Sequence, residues 1–85
     1  DMGLFRSKYV KELDAIISRI EMNMANNYKD NAQSDLKELE ETFGKFVQES
    51  LLKDKDTTVY EARIKAYQEK LKGYSHKDQK PYWTK

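Results

Sequence analysis

Eighty-five residues make one domain, and a chain of that size hides only about 60% of the surface its unfolded form exposes. With no cysteine, it has no disulfide, no thiolate metal site and no thiol redox chemistry. Lys and Arg number 16 against 15 Asp and Glu, so any charged surface must come from uneven placement rather than overall excess.

Hydrophobic residues are 38% of the chain and charged residues 36%, a balance that would suit disorder if the apolar positions were scattered. They fall instead into periodic runs, broken by only three glycines and one proline. The charged residues are mostly Lys and Glu, which lose little rotamer freedom in a helix. Apolar runs are far shorter than the ~18 residues of a membrane span, and no signal-peptide pattern stands at the N-terminus. We therefore expect a cytoplasmic protein, and read the fold from Met2, leaving Asp1 aside.

In the first segment Phe5, Tyr9, Leu13, Ile16, Ile20 and Met24 recur at steps of four and three, one face of a helix over residues 4–26. Val10 and Ile17 widen that stripe beyond a two-stranded seam, so the helix should meet more than one neighbour. Asn26 and Asn27 break the pattern, and asparagine tolerates both left-handed turns and helix N-caps. A tight turn is expected here, with Asn27 capping the next helix and Asp30 near its positive dipole end.

The second helix is read over residues 28–53, where Ala32, Leu36, Leu39, Phe43, Phe46 and Ser50 alternate at four and three. Gly44 inside it implies close helix approach or simple tolerance, with a break or kink near Phe43 as the alternative. Lys53 to Asp56 reads as a connector, and Thr58 with Glu61 has the spacing of a capping box. A third helix follows over residues 58–73, seamed by Tyr60, Ile64, Tyr67, Leu71 and Tyr74 and stopped by Gly73. No internal repeat or interdomain linker accompanies these elements.

The expected fold is all-α: a long antiparallel helical hairpin with a shorter third helix, an up-down-up three-helix bundle with coiled-coil-like packing. It occupies residues 2–74, and residues 75–85 form a polar and aromatic tail. On these boundaries the third helix falls short of the hairpin tip, leaving Ile20, Met24, Tyr28 and Ala32 uncovered. The tail, with Tyr82 and Trp83, is long enough to dock there, on its own chain or on a second copy.

Catalysis finds little support. His76, the only histidine, lies in the polar tail, away from any nucleophile and base pairing. Carboxylates such as Glu12, Asp14, Glu21, Asp35, Glu38 and Glu41 lack the Glu-x-x-His companion of bundle metal sites. No phosphate-binding Gly-rich loop occurs, so no enzyme activity, cofactor or metal is expected. Met2-Gly3-Leu4-Phe5-Arg6-Ser7 matches the N-myristoylation pattern at three fixed positions, which we read as incidental. The helical hairpin superficially resembles small secreted effector hairpins of the Trp-x-Gly type, whose motif would stand in the turn at Asn26 and Asn27. No Trp-x-Gly stands there, and nothing is carried over.

Two functions fit. The first is a non-enzymatic helical protein-interaction module, an adaptor, regulator or inhibitor, or a homodimer, with Ile20, Met24, Tyr28, Tyr82 and Trp83 as its contact residues. The second uses the C-terminal part, where seven basic residues from Arg63 to Lys85 face only Glu69 and Asp78. Arg63, Lys65, Lys70, Lys72, Lys77 and Lys80 would then bind phosphates of a nucleic acid.

Overall fold

A computed structural model describes residues 7–72 as three α-helices in up-down-up order: α1 (Lys8–Ala25), α2 (Lys29–Gln48) and α3 (Asp54–Leu71). α1 begins later than the apolar pattern suggested, because Ser7 caps it. The Ser7 backbone is extended, and its Oγ accepts the Val10 N–H at 3.1 Å, satisfying one of the open donors of the first turn. Leu4 and Phe5 lie outside the described residues.

α1 and α2 both end in Schellman motifs. After α1, Asn27 takes φ 63°, its N–H reaching the Met24 carbonyl at 3.1 Å, and Tyr28 N–H reaches the Asn23 carbonyl at 2.8 Å. The left-handed turn expected of asparagine is therefore present. The N-cap of α2 is Tyr28 rather than Asn27, and no side chain bonds the first turn, although Asp30 sits there as expected.

α2 runs unbroken through Gly44, which is buried, so the helix does not break at Phe43. It stops at Gln48, short of residue 53. Ser50 takes φ 58° and donates to Val47, while Leu51 donates to Phe46 at 2.9 Å. Ser50 thus lies in an exposed turn, not on the apolar seam where the spacing placed it.

α3 begins four residues before the expected Thr58. Asp54 and Asp56 occupy its first turn, where negative charge suits the helix dipole, and Lys53 caps without a side-chain bond. The Thr58 hydroxyl donates back to the Asp54 carbonyl at 3.2 Å inside the helix, so the expected capping box does not form. The early start changes the proportions of the bundle. At 18 residues α3 nearly matches α2 at 20, and Gln33 near the start of α2 donates to the Leu71 carbonyl at 3.1 Å. The third helix therefore reaches the tip that the sequence boundaries left uncovered, and Ile20 and Ala32 there are fully buried.

One apolar cluster holds the three helices together: Val10, Leu13, Ile16, Ile17 and Ile20 from α1, Ala32, Leu36, Leu39, Phe43 and Phe46 from α2, and Tyr60, Ile64, Tyr67 and Leu71 from α3. Every one of these positions was on a periodic stripe of the sequence. At the open end of the hairpin Tyr9 meets Phe46 edge to face, with ring centres 5.1 Å apart.

Candidate partner-binding surface

Three large apolar side chains are substantially exposed among the described residues, and two of them belong to the hairpin tip: Met22 at 62% and Tyr28 at 57%. Backbone bonds that close the turn involve both segments. Asn26 N–H donates to the Met22 carbonyl at 3.1 Å, and Tyr28 is tied to the adjacent Asn23.

The exposure of Tyr28 follows from the cap that positions it. In a Schellman motif the residue after the left-handed position commonly packs back on the helix it terminates. Leu51 occupies that position after α2 and packs against the core. Tyr28 occupies it after α1, where the residue it faces is Asn23, whose amide is already donated to Asp35 at 2.7 Å. The ring is left largely in water.

Of the contact residues inferred from sequence, Tyr28 lies on this surface, and Met24 is partly buried with one side against the core. Ile20 is wholly inside the core and offers nothing to a partner. Tyr82, Trp83 and the tail, including His76, Lys77 and Lys80, lie outside the described residues. Met22 was missed because it falls off the α1 stripe. Its position opposite that stripe, next to the turn, was the available signal.

The basic residues from Arg63 to Lys72 do not form one stripe. Lys65 pairs with Glu61 at 3.7 Å and Lys72 with Glu69 at 3.1 Å. On another side Arg63 lies over the Tyr60 ring and Lys70 over the Tyr67 ring, each at 5.9 Å from the ring centre. The four cations thus divide between separate faces of the helix.

Neither a family model, a curated protein nor a solved structure matches this chain. Among the described residues, no group of three or more His, Asp or Glu could hold a metal ion, and no helix is long and apolar enough to cross a membrane. A groove of about 470 Å³ opens beside Tyr9, Phe46 and Leu51, but Lys8 and Lys45 stand there with Glu12 and Glu49, so no single charge converges on it.

Polar contacts flank the core on both sides of α3. Tyr60 donates to Asp14 at 2.6 Å, Tyr67 donates to Glu21, and Gln68 donates to Glu40 at 2.8 Å. Burial raises the Tyr67 phenol above its ordinary value of 10.0. The bond to Glu21 raises it further, because only the neutral phenol can donate, and Arg63 partly opposes this. Burial likewise raises the Glu40 carboxyl above 4.5, with the Gln68 bond opposing and Glu41 adding to the shift.

Proposed function

We propose that this chain is a non-enzymatic helical interaction module that binds a protein partner, or a second copy of itself, through the hairpin tip. One observation carries the reading: Tyr28 stands 57% exposed at a cap position that its counterpart Leu51 uses for internal packing. An exposed aromatic ring held on a hydrogen-bonded turn, with Met22 exposed on the same end of the hairpin, suits a partner pocket, since aromatic anchors bury large area at small entropic cost. The cysteine-free sequence fits a reducing compartment such as the cytoplasm.

A photocrosslinking amino acid placed at position 28, and at exposed Lys37 on α2 as control, tests this in the native host. A discrete adduct formed from position 28 and not from position 37 supports the tip. Equal or absent adducts at both positions reject it. The nucleic-acid reading is the weaker one, because the α3 cations are split between faces and engaged with Glu61, Glu69, Tyr60 and Tyr67. A salt titration on nonspecific DNA and RNA separates the two readings, since phosphate binding weakens steeply with salt.

A further inference from the structure

The three helices are not held equally. α1 and α2 pack along their lengths and α3 packs less. The hairpin also carries ties of its own in which α3 takes no part: Tyr9 against Phe46, Asn23 to Asp35, and Arg19 to Asp35 and Glu38 at 3.6 and 2.5 Å. Its turn is closed by consecutive backbone hydrogen bonds over Met22, Asn23 and Met24.

α3 is attached differently. Its side chains Tyr60, Tyr67 and Gln68 donate to the flanking carboxylates Asp14, Glu21 and Glu40, and its Leu71 carbonyl accepts from Gln33. Its N-terminus has no side-chain cap, and the turn before it holds Ser50 in a left-handed conformation that serine disfavours. We propose that α3 is a releasable cover, which swings open as a unit about residues 49–53 while α1 and α2 remain paired. Helical periodicity places Val10 and Ile17 in one row with Asp14 and Glu21, and Leu36 and Phe43 in one row with Gln33 and Glu40. These are the apolar positions that opening bares. The device gives the fold a two-state element that includes the Leu71–Gln33 contact at the tip but not the exposed Met22 and Tyr28, so it can be tested apart from what those two residues bind.

Native-state hydrogen exchange of the full chain, read by NMR at neutral pH, tests the proposal, because separately opening units show separate free energies. The slowest amides of α3 should exchange at least about tenfold faster than the slowest of α1 and α2. Asn23→Ala removes a hairpin bond present in both the closed and the α3-open forms. It should therefore accelerate α1 and α2 about fivefold, the effect of one ordinary hydrogen bond, and leave α3 unchanged. Arg19→Ala gives the same pattern more weakly and serves if the first variant does not fold. Tyr67→Phe should accelerate all three helices, since both opening routes lose its bond. One common rate for the slowest amides of all three helices, or equal acceleration of all three by a hairpin variant, would overturn the proposal.

Discussion

Tyr67 of α3 donates its hydroxyl to Glu21 of α1, seven residues beyond the point where Tyr60 meets Asp14 on the same pair of helices. Equal steps of seven on both helices mean that α1 and α3 run parallel in one register, as an up-down-up bundle requires. Removing the hydroxyl tests the worth of that register. Tyr67→Phe keeps the buried ring and should cost about 1 kcal/mol in denaturant unfolding, below the ~1.5–3 kcal/mol of a typical bond to a charged group because the exposed Glu21 can turn to water. A loss near zero would show that the pair contributes nothing.

The same phenol sets an alkaline limit. Its folded pKa is raised, so its contribution is complete below the unfolded value of about 10 and is lost as pH climbs through the folded value. Thermal unfolding followed from pH 8 to 11 should show a decline above about pH 10 that is reduced in Tyr67→Phe.

Glu40 acts on the acid side with the same sign. Its raised folded pKa means that the protein favours the protonated carboxyl, and the corresponding stability is present below about 4.5 and lost as pH rises through the folded value. Glu40→Gln leaves an amide oxygen to accept from Gln68. The variant should be more stable than the natural chain at pH 7, with the difference closing toward pH 4. Equal stability at both values would contradict the role given to burial.

Ser50→Gly should stabilise the protein by about 1 kcal/mol, since glycine adopts the left-handed conformation without the steric penalty that serine bears. Asn27→Gly should gain much less, because asparagine already tolerates φ 63°. Midpoints of urea unfolding distinguish the two, and an equal gain at both sites would refute the distinction.

The chain's apolar pattern disclosed the helices and their buried faces, because burial of a stripe repeats with the period of the helix that carries it. It did not disclose where α2 ends. Ser50 adopts a left-handed turn that its residue type does not advertise, and the Schellman bonds formed around it outweigh the continuing four-and-three spacing. The start of α3 was readable from Asp54 and Asp56, yet Thr58 and Glu61 imitate a cap and competed with that signal. At the tip the turn was legible at Asn26 and Asn27, and the exposure of Tyr28 was anticipated, although Tyr28 was read as the first residue of the second helix and not as its cap.

Core and surface at the tip should separate cleanly under mutation. Ile20→Ala opens a cavity at a fully buried position and should cost about 2–5 kcal/mol, enough to unfold much of a small domain. Tyr28→Ala should change stability by no more than about 0.5 kcal/mol while abolishing adduct formation from a crosslinker moved to Met22. A strongly destabilised Tyr28→Ala would mean that the ring serves the fold.

Gly44 shares a flank of α2 with Gln33 and Glu40, the residues that bond α3, and it is buried. Alanine there would favour the isolated helix by about 1 kcal/mol, yet its methyl group would press on the neighbouring helix. A peptide of residues 29–48 bearing Gly44→Ala should gain helicity while the intact protein loosens its third helix. At this one residue the preference of the segment and the preference of the assembled chain point in opposite directions, and the assembled chain prevails.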